Sequence, residues 1–296
     1  MNYRHAFHAG NFADVLKHLI LCRVIEYLKK KPAPFRVIDT HAGTGLYDLS
    51  SDAAQRTGEW RDGIGRVMDA DLPAPLLAMF APYLNALRLV NSEAESSSGD
   101  GSGRAGSDLR LYPGSPLLAA LLVRSEDAVI ANELHPEDQL ALSQALKNHG
   151  NCKVMGLDGY VALKATLPPK ERRAVVLVDP PFEKPGEFQR LLQALRQGVQ
   201  RFATGTYLLW YPIKDPRPVA AFKKELATLG LAKLKAVEFF VRTPDDVEQL
   251  NGHGLVMLNP PFSLVDELEA CLPFLVDLLA QGPGASFRIE TLSSEG

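Results

Sequence analysis

The feature that most constrains this chain is an alternation of short apolar runs with stretches of helical spacing. The runs fall at residues 35–39, 128–133, 152–156, 174–179, 206–210, 236–241 and 254–258. Strands separated by helices predict a largely parallel sheet covered on both faces, an α/β architecture. Asn11 is a natural cap for a first helix whose apolar positions Phe12, Val15, Leu16, Leu19, Ile20, Val24, Tyr27 and Leu28 recur at helical intervals. Pro136 suits the first turn of a later helix, with Gly150 as its stop. Gly230 is placed to end a helix beginning near Arg217. Ser263 with Asp266 reads as a capping box for a helix running toward Leu279.

Two stretches break this rhythm. Residues 47–90 have helical patterns punctuated by Pro73, Pro75 and Pro82, although a single helix suffices between the first two core strands. Residues 91–108 are rich in Ser and Gly and low in apolar content, the composition of a slack loop. The expected organisation is therefore residues 1–46 as an N-terminal covering helix and first core strand, 47–110 as a helical insertion, and 111–296 as the rest of the same core domain. At 296 residues and 46% hydrophobic, the chain can bury a full core. It contains no apolar run of about 18 residues and no signal-peptide pattern, so a cytoplasmic protein without a membrane span is expected. Three widely spaced cysteines fit a reducing compartment rather than a disulfide framework. The net charge of −3 excludes a surface that grips nucleic acid everywhere, so any such contact is a local patch.

Asp179-Pro180-Pro181-Phe182 follows the apolar run 174–178. Ligands of an open parallel sheet bind beyond the carboxyl ends of its strands, so this tetrapeptide is directed at a site. Its composition suits methylation of an exocyclic amino group. Such a nitrogen is a poor nucleophile because its lone pair is delocalised into the ring. A carboxylate and a backbone carbonyl that accept its hydrogens favour the pyramidal geometry of attack, and the carboxylate can take the departing proton. The prolines stiffen the loop and remove competing donors. Phe182 offers a face to a flipped base. Asn259-Pro260-Pro261-Phe262 rivals it in composition. Strand order favours Asp179, which ends the fourth core strand, whereas Asn259 ends the seventh, expected at the far side of the sheet.

The cofactor half starts at residues 39–45, Asp-Thr-His-Ala-Gly-Thr-Gly, a strand-terminal acid and a glycine turn that lets backbone approach a nucleoside. It is neither the dinucleotide fingerprint nor a P-loop. Glu133 ends the second core strand, where an acid can bind both ribose hydroxyls. Asp158, after the third, is placed to accept from an adenine amino group. His5, His8, Asp14 and His18 match no metal-ligand spacing, so no metal is expected. The N-terminal segment reads instead as a cover for cofactor or substrate.

Residues 3–18 (Tyr-Arg-His-Ala-Phe-His-Ala-Gly-Asn-Phe-Ala-Asp-Val-Leu-Lys-His), the turn at 39–45, Tyr-Pro-Gly-Ser-Pro (112–116), Glu-Leu-His-Pro (133–136), Asp-Gly (158–159), Asp-Pro-Pro-Phe (179–182), Arg-Phe-Ala-Thr-Gly (201–205) and Leu-Trp-Tyr-Pro (209–212) together closely resemble the RlmJ family of bacterial 23S rRNA adenine-N6 methyltransferases. The resemblance covers most of the chain. It implies a Rossmann-like class I fold with a helical insertion after the first core strand, S-adenosyl-L-methionine as cofactor, and a monomer acting on one adenine of 23S rRNA. It also implies cofactor contacts at His18, His41, Ser115, Glu133, Asp158 and Gly159, a catalytic aspartate at Asp179 and a substrate-side tyrosine at Tyr3; by the loop chemistry above, Pro180 and Phe182 complete the catalytic motif and Phe182 also contacts the substrate base. At position 182 the family usually has Tyr; stacking survives that change and a hydroxyl contact does not. The Ser/Gly-rich loop looks longer than the family needs.

Basic residues gather in the insertion (Arg56, Arg61, Arg66) and at Lys170, Arg172, Arg173, Lys223, Lys224, Lys233 and Lys235. The insertion arginines are expected to track RNA phosphates. Two other readings compete with the leading one: the same chemistry on a DNA adenine or a protein glutamine, and a non-catalytic RNA-binding module.

Overall fold

The computed structural model describes residues 4–98 and 109–292. Its strands, in chain order, are β1 (Arg36–Asp39), β2 (Leu46–Asp48), β3 (Leu111–Pro113), β4 (Ala128–Asn132), β5 (Cys152–Met155), β6 (Ala174–Val178), β7 (Thr206–Ile213), β8 (Leu234–Phe240), β9 (Gly252–Leu258) and β10 (Ser286–Thr291). The helices are α1 (Phe12–Lys29), α2 (Asp52–Thr57), α3 (Arg66–Asp69), α4 (Ala74–Ser98), α5 (Ser115–Leu122), α6 (Pro136–Ala145), α7 (Gly159–Thr166), α8 (Glu187–Arg201), α9 (Pro216–Ala227) and α10 (Leu264–Leu279).

Eight strands form one sheet in the order β10-β8-β9-β7-β6-β1-β4-β5. From β5 to β7 all neighbours are parallel. The period-two alternation of strands sends successive residues to opposite faces. Val175 and Leu177 accordingly pack with α1, α5, α10 and the insertion. Ala174, Val176 and Val178 pack with α7, α8 and α9 on the other face. Both faces of β6 are covered, which is why its sequence is an unbroken apolar run. None of the helices is long and apolar enough to cross a membrane among the described residues.

The seventh predicted strand, β9, does not lie at the far side of the sheet. It is inserted between β7 and β8 and runs antiparallel to both. The outermost strand on that side is β10, which no apolar run foretells and whose burial is only partial. The antiparallel direction carries Asn259 to the rim opposite Asp179. There Asn259 donates from Nδ2 to the carbonyls of Ala203 and Gly205, at 2.9 Å each, and serves to fasten a turn.

Between β1 and β4 the chain makes α2, an irregular helical turn at Arg61–Gly65, α3 and the long α4. The legs of this excursion are joined by an antiparallel β2–β3 ladder that pairs Tyr47 with Tyr112, a closure with no obvious signal in such short strands. Helix α4 continues to Ser98, so residues 91–98 are helical rather than slack; residues 99–108 lie outside the described residues. Ile64 N donates to Gly10 O at 2.8 Å, which seats the excursion on the entry to α1. Asn11 caps α1, accepting from the amides of Ala13 and Asp14. Pro136 occupies the first turn of α6, but that helix ends at Ala145, short of Gly150. At α10 the predicted capping box is absent: Ser263 takes helical angles and its side chain caps no amide.

Candidate active site

The glycine turn after β1, Glu133 after β4, Asp158 after β5 and Asp179 after β6 meet at one rim of the sheet. One cavity is lined by all six residues expected at the cofactor, His18, His41, Ser115, Glu133, Asp158 and Gly159, together with Asp179 and Pro180. A second cavity adjoins it across Asp179 and Pro181 and is lined by Phe182, Trp210 and the N-terminal segment. Phe182 therefore faces the second cavity, with its ring edge-on to Phe188 and Trp210 at 5.0 and 6.0 Å between centroids. Tyr3 lies outside the described residues.

The backbone shapes the first cavity. Gly43 has φ +60, and a Cβ there would meet the Tyr47 hydroxyl at 2.2 Å. Its amide donates to Glu133 Oε2 at 2.9 Å, while Oε1 accepts from His135 N at 2.8 Å. Glu133 is thereby oriented at the strand end with lone pairs to spare. Asp158 caps α7 through Oδ1, which accepts from the amides of Tyr160 and Val161. Its Oδ2 has no hydrogen-bond partner among the described residues, so one oxygen is left to accept from a ligand. Gly159 leaves room for His41: a Cβ there would stand 2.3 Å from the imidazole Nε2. Burial lowers His41 to about 4 and His18 to about 3, so both rings are neutral at physiological pH. His18 is hydrogen-bonded through Nδ1 to the Tyr112 hydroxyl at 2.6 Å, which in turn bonds that of Tyr83. The β2–β3 ladder thus holds a ring of the cofactor cavity in place.

Acids concentrate toward the centre of the rim. Asp39 is 1% exposed and accepts from Ser115 Oγ at 2.6 Å. Burial, reinforced by the charge of Asp179, pushes it up to about 7, against the hydrogen bond from Ser115. Lys17, to which sequence patterns assign no role, stands at the centre of the site. It is 4% exposed and donates to Asp179 Oδ2 at 2.5 Å, and its Nζ lies 2.7 Å from Asp14 Oδ1. Burial alone would lower its pKa, but the two carboxylates outweigh that and hold the ammonium charged. Asp14 is itself held well below the usual carboxylate range, its burial overcome by His5, Lys17 and His18. Asp14 also accepts from His5 Nε2 and Gly10 N at 2.9 Å each. Asp14, Lys17 and His18 are spaced as one face of a helix whose residues from Phe12 to Cys22 are otherwise apolar. A helix buried nearly all round yet carrying ionisable side chains at i, i+3 and i+4 is the signal by which they could have been found. Among the described residues these groups pair with one another, and none gathers as a metal-ligand set.

The residues present fit S-adenosylmethionine. Glu133 could accept from a ribose diol and the open Asp158 Oδ2 from an adenine amino group, and Asp39 is an acid at the same rim that could face the cofactor's cationic end. Asp179 Oδ2 is held by Lys17, while Oδ1 accepts no hydrogen bond among the described residues.

A doubly wound sheet with strand β9 inserted antiparallel, a glycine turn after β1 and Asp-Pro-Pro after β6 defines a class I S-adenosylmethionine-dependent methyltransferase. Residues 32–290 match the family described as "Ribosomal RNA large subunit methyltransferase D, RlmJ". The chain is 38% identical over 296 residues to the ribosomal RNA large subunit methyltransferase J of Haemophilus influenzae, covering 100% of both proteins. It is 40% identical over 276 residues to the protein of the same name from Escherichia coli, covering 93% of this chain and 92% of that one. The crystal structure of protein LPL1258 from Legionella pneumophila is similar throughout, with a TM-score of 0.83, 30% identity and coverage of 97% of this chain and 99% of that one. The chain belongs to the RlmJ family.

Proposed function

We propose that this protein transfers a methyl group from S-adenosylmethionine to the N6 amino nitrogen of an adenine in 23S ribosomal RNA. The observation that carries this reading is the position of Asp179 at the junction of two cavities, one furnished for a nucleoside cofactor and the other open to a base. When bound, S-adenosylmethionine supplies an electrophilic methyl group on a sulfonium. Asp179 Oδ1 and the Pro180 carbonyl accept the two amino hydrogens, drawing the nitrogen lone pair out of conjugation. Lys17 fixes the carboxylate through its other oxygen, so the acceptor does not swing when the base arrives. Asp179 then takes the proton that the methylated nitrogen releases. Phe182 and Trp210 wall the base side of the junction. His18, His41, Ser115, Glu133, Asp158 and Gly159 would bind and orient the cofactor, with Asp39 holding the Ser115 hydroxyl. Tyr3 is placed with the substrate by the resemblance. Residues 47–110 act as an inserted unit within one catalytic domain.

The test separates chemistry from cofactor binding. Asp179→Ala is expected to lower kcat by 100-fold or more while changing cofactor affinity by less than about threefold. Glu133→Ala is expected to raise the cofactor Kd by about tenfold or more. Calorimetric titration with cofactor and transfer of labelled methyl to 23S rRNA measure the two effects. N6-methyladenine mapping in rRNA from cells with and without the gene identifies the acceptor. Equal loss of cofactor binding in both variants, or no rRNA adenine that depends on the gene, would overturn the reading.

A further inference from the structure

The second cavity extends past Phe182 and Trp210 to the ends of β7 and β8. These strands are parallel to each other, because each is antiparallel to β9 between them. Their ends emerge at the same rim as Asp179. Asn251, wholly buried, links them: its amide donates to Ile213 O, its carbonyl accepts from Val241 N, and its side chain donates to Lys214 O. Lys214 and Arg242 are the residues that follow these linkages, and both line the cavity.

Neither cation is neutralised there. The Lys214 ammonium has no hydrogen bond or ion pair among the described residues. The Arg242 guanidinium donates to two neutral amides, Gln249 Oε1 and Gln281 Oε1, and its buried Nε has no partner. It is held in a fixed orientation without a carboxylate to cancel its charge. The acids around it are largely engaged elsewhere. Asp215 is taken by Arg217 at 2.7 Å, and Glu59 accepts from His8 and Asn11. Glu248 and Glu183 line the cavity as opposing charges, and Asp246 accepts from the Gln249 amide that binds Arg242, so it stands one side chain removed from the guanidinium. None of the insertion arginines lines this cavity: Arg66 is paired with Asp62 and donates to the carbonyls of Leu278 and Ala280, Arg61 donates to Gln55, and Arg56 lies over the Phe7 ring.

We propose that Lys214 and Arg242 form a phosphate-binding edge that holds the backbone of single-stranded RNA beside the target adenine. This rests on the substrate class assigned above, and it moves the main electrostatic contact from the insertion to the ends of β7 and β8. A planar guanidinium preorganised by amides suits phosphate oxygens, and the neighbouring ammonium supplies a second charge along the strand. In a chain of net charge −3 such a local edge is the means by which a polyanion can be retained.

The test is fluorescence anisotropy of the full chain with a labelled single-stranded oligoribonucleotide from 23S rRNA, across about 50 to 200 mM salt. Removing one cation that neutralises a phosphate should flatten the log–log salt slope by about 0.7. Lys214→Gln with Arg242→Gln should therefore flatten it by about 1.4 and weaken binding roughly 10- to 100-fold at low salt. Cofactor affinity should be unchanged. Lys214→Gln alone, which disturbs no loop, should flatten it by about 0.7. Glu248→Gln should tighten binding. Removing two charges at the far edge of the sheet, Lys153→Gln with Lys170→Gln, should leave the slope as it is. An unchanged slope in Lys214→Gln and in the double variant overturns the proposal. If the wild type binds with the expected slope changes but methylates no RNA adenine, the phosphate edge stands and the assigned acceptor falls.

Discussion

Lys17 faces Asp14 and Asp179 from a position with almost no access to water, so its removal leaves two carboxylates sharing a buried site. Breaking such a buried set by deleting one partner costs about 3–5 kcal/mol, because the remaining charges are left uncompensated. Lys17→Met is therefore expected to lose stability of that order in denaturant titrations. It should also lose at least about 100-fold in single-turnover methyl transfer, since Asp179 loses the group that orients it. Wild-type turnover would show that the carboxylate needs no cation. Gly159 makes a different demand. Alanine would favour a helix at this position by about 1 kcal/mol, yet its Cβ would collide with His41. Gly159→Ala is expected to raise the cofactor Kd by about tenfold or more with little change in Tm, read by calorimetry and thermal melts.

At the scale of elements, direction matters more than composition. Asp-Pro-Pro-Phe and Asn-Pro-Pro-Phe both follow apolar strands, but β6 and β9 run in opposite senses, so the two motifs emerge on opposite rims. Asn259→Ala is expected to leave kcat within about threefold. It should cost roughly 1–3 kcal/mol of stability, because it removes two hydrogen bonds and puts alanine in the left-handed region. A dead but folded variant would transfer the catalytic role to the second motif. The excursion between β1 and β4 likewise acts through its joints. Through Tyr112 the β2–β3 ladder reaches His18, and through Arg66 the excursion reaches the end of α10.

Across the whole molecule, buried histidines set the response to acid. His18, His41 and His253 are lowered by burial to about 3, 4 and 3. Between those values and about 6.5 the unfolded chain binds protons that the folded chain refuses. Stability therefore rises with pH across that window and is lost as pH falls below about 6.5, each histidine contributing up to about 1.4 kcal/mol per pH unit. Asp39 opposes them. Its folded value of about 7 lies above the unfolded one, so the folded chain retains a proton that the unfolded chain releases, and its contribution falls as pH rises through the same window. Chemical denaturation from pH 4 to 6.5 should accordingly show a shallower slope for His253→Gln and a steeper slope for Asp39→Asn. A His253→Gln slope equal to wild type would mean that this ring is protonated in the folded protein.

By itself the sequence determined the elements whose causes are local. Apolar runs became strands because a strand covered on both faces must be apolar throughout, Asn11 capped α1, and the acids at 133, 158 and 179 stood at strand ends because those ends form the rim. The order of strands then implied that the acids share a cavity. What only the tertiary structure decided depends on partners distant in the chain. It set β9 antiparallel inside the sheet, closed the 47–110 excursion with a three-residue ladder, and brought Lys17 to Asp179 across 162 positions of sequence. It also left Arg242 bound to amides while Arg66 was consumed by carbonyls. A charge carries the same letter in either setting; whether it is spent within the fold or left for a ligand depends on which neighbours the packing supplies.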